Sequence, residues 1–259
     1  MVNNKRQSDR NERQEKLNLE LSVLPTFTPL NDCQIYHINR ATSAMLLPNL
    51  IELARRTTRF TIDTEHDYRT HEAALIQIEF IQLESIVLLI ETCHLPHQSS
   101  ALFWLIQALF KVIFKSSNVI YSWGDGIHEL TDFIHYNLFS SHTIDQINNL
   151  DIQLHFKQWY NKTFLHRSVH GYQLFTRLYR SDEHEDHQWS LQKAIAYAFN
   201  EFLDKSRTKS RWSRPLNCSS IRQYSVINNS TKKIHEHLTL YAVNDCLAVT
   251  KLLMVLELN

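Results

Sequence analysis

Glycine is nearly missing from this chain: its 259 residues contain only Gly124, Gly126 and Gly171. A phosphate cradle or a dinucleotide fingerprint needs several glycines within a few positions, so that backbone N–H groups can approach the anion. Neither can be built here. Cysteine is equally sparse. Cys33, Cys93, Cys218 and Cys246 stand far apart with no CxxC pair. That suits neither a zinc site nor a small disulfide framework and favours reduced thiols in an intracellular compartment, nucleus or cytoplasm. No apolar run reads as a membrane span, and the polar start lacks the apolar stretch of a signal peptide, so no membrane partner is expected. Net charge is absent too. The 27 basic and 27 acidic side chains leave no overall field, and any surface for nucleic acid must be local. The fifteen histidines do not change this, because the tightest groups, His184/His187 and His235/His237, lie in polar segments and read as solvated surface.

What the chain does have is alternation. Residues 1–30 begin with a polar stretch that has almost nothing to bury and reads as a mobile tail or a frayed helix, with Pro25 and Pro29 marking the passage into a folded part spanning 31–259. RFTIDTE, ALIQIEFIQ and SIVLLIET are β-branched and aromatic runs spaced as successive strands. SSALFWLIQALFKVIFK has helical spacing behind a serine cap signal. NVIYSW then reads as a fourth strand and DGIHELTDFIHYNLF as a helix. LDIQLHF is a fifth strand or a helix start, and WSLQKAIAYAFNEFLDK and HLTLYAVNDCLAVTKLLMVLE are two further helices. This order predicts one layered α/β domain: a mixed sheet of about five strands flanked by helices.

Three segments carry chemistry. In FTIDTE a strand puts Asp63 and Glu65 on one face, two carboxylates whose repulsion is relieved by a cation. Hard ions such as Mg²⁺ or Mn²⁺ prefer such oxygen-rich surroundings. A polar strand face turned to solvent is the plainer alternative. In YAVND, Tyr241 and Asp245 are one helical turn apart, and Asp245 sits in or beside the apolar stripe, where an ionised carboxylate needs a partner. A core tyrosine next to a helix-edge aspartate is the alternative there. Asp125, in SWGDGIHEL, ends a strand where a helix begins. It reads as an N-cap, or as a site residue if its carboxylate faces the other two elements.

Together and in this order, the three segments resemble the motifs of the DEDDy-type 3′→5′ exonucleases, the group that includes ribonuclease D and the Werner-type exonucleases. FTIDTE is similar to their first motif, NVIYSWGDGIHELTDF to the second and YAVND to the third, YxxxD. AALIQIEF, LDIQL and WSLQKAIAYAFNEFLDKSRTKSRWSRPL are similar to their flanks, so the resemblance covers roughly residues 34–258. It implies a ribonuclease H-like exonuclease fold that hydrolyses terminal phosphodiesters of DNA or RNA with two Mg²⁺ or Mn²⁺ ions and releases nucleoside 5′-monophosphates. Asp63, Glu65, Asp125 and Asp245 would be the metal ligands, and Tyr241 would orient the attacking water. The partner would be nucleic acid with a free 3′ end. The second motif is the least standard. The interval from Asp125 to Tyr241 is also long, with apparent insertions near 161–188 and 218–237.

KSRTKSRWSR offers Lys205, Arg207, Lys209 and Arg211 around Trp212, basic side chains interleaved with an aromatic that suit a phosphate backbone and a stacked base. The alternative is a solvated loop with Trp212 anchoring it to the core; since the related exonucleases carry a similar segment there, a structural tryptophan with only some phosphate contact is favoured. A catalytically silent nucleic-acid-binding or scaffold protein that retains the fold is the competing function.

Overall fold

The structure is a computed structural model that describes residues 2–164, 189–216 and 229–257. Its centre is a six-stranded mixed sheet: β1 (Cys33–Ile38), β2 (Arg59–His66), β3 (Ala73–Phe80), β4 (Ser85–Glu91), β5 (Val119–Ser122) and β6 (Asn148–Asp151). The spatial order is β1-β4-β3-β2-β5-β6. β2 runs antiparallel to β3 and parallel to β5, so it lies inside the sheet with neighbours on both edges. The three runs read as successive strands are the interior core β2–β4. The strand beyond the expected five is β1, whose CQIYHI carries no continuous apolar signal because it is an edge strand in which only Ile38 is fully buried. LDIQLHF divides: its start belongs to β6, and helix α6 (Ile152–Phe164) follows at once.

Each face of the sheet is covered by helices. Phe60 and Ile62 of β2, Ile76, Ile78 and Phe80 of β3, and Ile86, Leu88 and Ile90 of β4 pack on α2 (Leu46–Arg56) and α3 (Ala101–Ile113). Ser100 caps α3 by accepting the Phe103 N–H at 3.2 Å. The opposite face packs on α6, α7 (Leu191–Phe199) and the long α8 (Asn229–Glu257). Within α8, Lys232–Leu256 is long and apolar enough to cross a membrane by length and composition, unlike any run noted in the sequence, but most of it is buried in this core.

Two expected helices are shorter than their sequences suggest. DGIHELTDFIHYNLF gives only α4 (Gly126–Thr131) and a 3₁₀ turn at Ile134–Tyr136, ended by Asn137 in the left-handed region. α7 stops at Phe199 because Asn200 takes the left-handed conformation and returns its N–H to Ala196. α5 (Ser141–Ile144) leads into β6. The N-terminal segment, expected as a tail or frayed helix, is α1 (Val2–Leu21), and its second half is docked: Leu21 is fully buried and Asn18 bonds to Gln192, Asp204 and the Lys205 backbone. The suspected insertion at 161–188 lies mainly outside the described residues. Of 218–237, only the part from 229 on is described, as the start of α8.

Candidate active site

The sheet's pleat decides where the acids go. Along β2, alternation turns Thr61, Asp63 and Glu65 toward α8, while Phe60 and Ile62 enter the core beneath α2 and α3. α8 crosses that polar row, and its Asp245 completes a triad: one ligand oxygen each from Asp63, Glu65 and Asp245 lies within 4.8 Å of the others. Glu65 and Asp245 are buried and Asp63 is half-buried. Asp245 Oδ1 is buried without a hydrogen-bond partner. An orphaned carboxylate oxygen between two further carboxylates is a donor set suited to a hard divalent cation.

The acids pay electrostatically for this arrangement. Burial, then the charge of Asp245, pushes Asp63 up to about 8, against the pull of Lys205. Burial, followed by Asp63 and Asp245, holds Glu65 well above the ordinary carboxylate range. Burial also raises Asp245, opposed by the charge of Lys205 and its hydrogen bond. Tyr241, one turn earlier on α8, is buried and shares a hydrogen bond with Thr208 Oγ1 at 2.9 Å. Burial and the neighbouring Asp245 keep its phenol protonated well beyond its usual range.

Asp125 does not join the triad. Its side chain is exposed and caps α4, accepting the His128 N–H at 3.0 Å. The glycines on either side serve the same turn: Gly124 has φ of +95°, and a Cβ on Gly126 would meet Ser122 Cβ at 2.7 Å. One turn further along α4, Glu129 accepts a hydrogen bond from Thr64 Oγ1 at 3.0 Å, and its charge acts on both Asp63 and Glu65. Burial raises Glu129 itself, against the Thr64 bond. Of the two readings of Asp125 the structure shows the cap, and Glu129 is the acid of this helix whose charge reaches the triad. The signal was in the sequence. A strand-end aspartate that opens a helix is spent on the backbone, so the next acid one helical turn inward is the candidate.

The basic segment also changes meaning. Lys205 is not offered to a strand: its ammonium lies 2.6 Å from Asp245 Oδ2 and 5.1 Å from the centre of the Tyr241 ring. Trp212 is buried, 5.7 Å from the Tyr241 ring, and cannot stack on a base. Lys209 faces Glu15 at 3.3 Å, and Arg207 is half-buried. Arg211 remains near the surface, where desolvation and the nearby Arg69 and Arg214 lower its pKa. Asp67 holds this corner together by accepting bonds from Ser213 N and Oγ and from Arg69 N. Burial works against its ionisation, but those bonds outweigh it and keep the carboxyl far below its usual range. Arg69 thus joins the basic surface from a segment that the sequence had not marked.

No protein-family model matches the chain, and no curated protein sequence matches it. Solved structures do. The catalytic core of RRP6 from Trypanosoma brucei matches with a TM-score of 0.51 at 13% identity, over 92% of this chain and 53% of that one. The Aedes aegypti Nibbler EXO domain matches with a TM-score of 0.48 at 14% identity, over 89% and 94%. Escherichia coli RNase D, an exoribonuclease involved in structured RNA processing, matches with a TM-score of 0.47 at 16% identity, over 87% and 44%. This chain spans about half of the RRP6 core and less than half of RNase D. The likeness is one of architecture: this chain has the ribonuclease H-like fold, a mixed sheet flanked by helices, that the RRP6 catalytic core also has.

Proposed function

We propose that this chain is a metal-dependent 3′→5′ exonuclease acting on the terminal phosphodiester of DNA or RNA. The observation that carries the reading is the convergence of Asp63, Glu65 and Asp245 within 4.8 Å, with a buried, unpartnered Asp245 Oδ1 among them. Asp63, Glu65 and Asp245 would hold Mg²⁺ or Mn²⁺, and Glu129 would complete the acidic shell in the place expected for Asp125. When bound, two such ions supply an activated water and stabilise the leaving oxygen of an in-line displacement. Tyr241, protonated and anchored by Thr208, would hold the water by its hydroxyl rather than take its proton. Arg69, Arg211 and Arg214 give the incoming strand a local positive surface on an otherwise neutral chain.

The experiment is to give purified protein end-labelled single-stranded DNA, RNA and recessed duplexes with Mg²⁺ or Mn²⁺. Stepwise shortening from the 3′ end that stops with EDTA is expected. Intact substrates under every condition would sink the proposal. A second reading, a silent nucleic-acid binder, is favoured by one feature: the Lys205 ammonium already engages a would-be metal ligand. Binding of labelled strands without shortening would support it.

A further inference from the structure

Asp245 has two carboxylate oxygens with opposite fates. Oδ1 is buried and bare, while Oδ2 receives the Lys205 ammonium at 2.6 Å. That ammonium is mostly shielded from water, its side chain 18% exposed, and lies against the Tyr241 ring. It is held from behind as well. The Lys205 N–H donates to Asn18 Oδ1 at 2.8 Å, and Gln192 Nε2 donates to the same oxygen at 2.7 Å and to Leu203 O at 2.8 Å. The N-terminal helix α1, through Asn18, therefore fixes the backbone that carries the only basic side chain touching the triad among the described residues.

We propose that Lys205 is a resident cation of this site: its ammonium occupies the Asp245 Oδ2 position in the metal-free protein and must be displaced, or must share that carboxylate, when a divalent ion binds. The inference rests on the metal-site reading above and adds a threshold to it. Three converging carboxylates in a poorly solvated pocket disfavour one another's ionisation. One fixed positive charge relieves part of that repulsion without any metal. The same charge opposes a second cation arriving at the same oxygen, so Lys205 stabilises the empty site and weakens the filled one. Asn18 sets how firmly it does so.

The test compares wild type with Lys205→Met, which keeps the length of the side chain and removes the charge. Melting temperature in EDTA and Mn²⁺ affinity by titration calorimetry are the readouts, and neither requires turnover. Lys205→Met should melt lower in EDTA, bind Mn²⁺ about tenfold more tightly or better, and gain more degrees on Mn²⁺ addition than wild type. If it does not fold in EDTA, Mn²⁺ should restore the fold, and failure of that rescue would overturn the inference. Asn18→Ala, which loosens the anchor but keeps the charge, should shift affinity in the same direction by a smaller factor. Unchanged or weaker Mn²⁺ binding in Lys205→Met overturns the resident-cation inference while leaving the nuclease reading intact. No Mn²⁺ binding by wild type overturns both.

Discussion

Strand β3 turns Ile76, Ile78 and Phe80 toward α2 and α3, and Leu75, Gln77 and Glu79 toward α8. All six side chains are almost completely buried. The first set enters a cluster built of apolar residues, where burial needs no electrostatic justification. On the second face β2 and β3 bury Glu65, Gln77 and Glu79 and half-bury Asp63, with Asp245 across from them, and some of these groups remain unsatisfied: both polar atoms of the Gln77 amide and Asp245 Oδ1 have no partner. Proteins rarely leave polar atoms in that condition without a use. One face therefore holds the fold together, and the other spends part of that stability on a site.

Removing one residue from each face tests this division, and the largest effect should come from the site. Asp63→Ala should abolish shortening of a labelled strand and weaken Mn²⁺ binding in calorimetry, with the fold retained. Ile76→Ala should do the reverse: lower unfolding stability by about 2–5 kcal/mol in urea, with metal affinity unchanged. If Ile76→Ala weakens metal binding as strongly as Asp63→Ala, the two faces are not separable in this way.

Within the site, groups that hold charge should separate from the group that places water. Tyr241→Phe should keep Mn²⁺ affinity and slow single-turnover cleavage by about a hundredfold or more, the usual contribution of a positioning or acid–base group. Glu129→Gln should lose both cleavage rate and metal affinity, though less than Asp63→Ala, since its hydrogen bond goes to Thr64 rather than to the triad. Wild-type rates in Glu129→Gln would return the fourth-carboxylate role to another residue.

A smaller effect isolates the electrostatic cost of the polar face. Glu79 lies beside the site, accepting bonds from Ser85 and Thr250, and burial pushes its carboxyl up to about 7 against those bonds. In the unfolded chain it titrates near 4.5. The native state therefore keeps this proton over an interval in which the unfolded state releases it. Relative stability from Glu79 is fully present below about pH 4.5 and is lost as pH rises toward 7, by on the order of 3 kcal/mol. Glu79→Gln should flatten that part of the metal-free stability profile, measured by urea unfolding from pH 4.5 to 7.5. An unchanged slope would mean that Glu79 is not the buried acid responsible.

How much of this could be read in the sequence depends on whether an element acts locally. FTIDTE, ALIQIEF and SIVLLIE show β2–β4 because a buried strand writes its own apolar run, and YAVND places Tyr241 and Asp245 on one side of α8 by helical spacing alone. β1 stayed hidden because an edge strand needs no such run. The contacts of Lys205 and Trp212 were not legible for a related reason. Basic and aromatic composition describes a surface only if the backbone faces outward, and that depends on contacts with α1 and α8 that lie far away in sequence. At Asp125 both readings stayed open in the sequence, because capping and metal ligation ask for the same side chain at a strand–helix junction.

The smallest effect separates those two roles. Asp125 Oδ1 accepts the His128 N–H, and its side chain is open to water. Asparagine can make the same bond, so Asp125→Asn should leave stability, Mn²⁺ affinity and cleavage close to wild type. Alanine cannot, and Asp125→Ala should lower stability by about 1 kcal/mol, the common cost of losing a cap. A modest loss of cleavage should accompany it only because α4 also carries Glu129, and fraying of a six-residue helix moves that carboxylate. The decisive variant is therefore asparagine rather than alanine, because it removes charge and keeps the cap. If Asp125→Asn lost cleavage and metal affinity as Asp63→Ala is expected to, the exposed aspartate would be a ligand after all, and the cap would describe only the metal-free state of the turn.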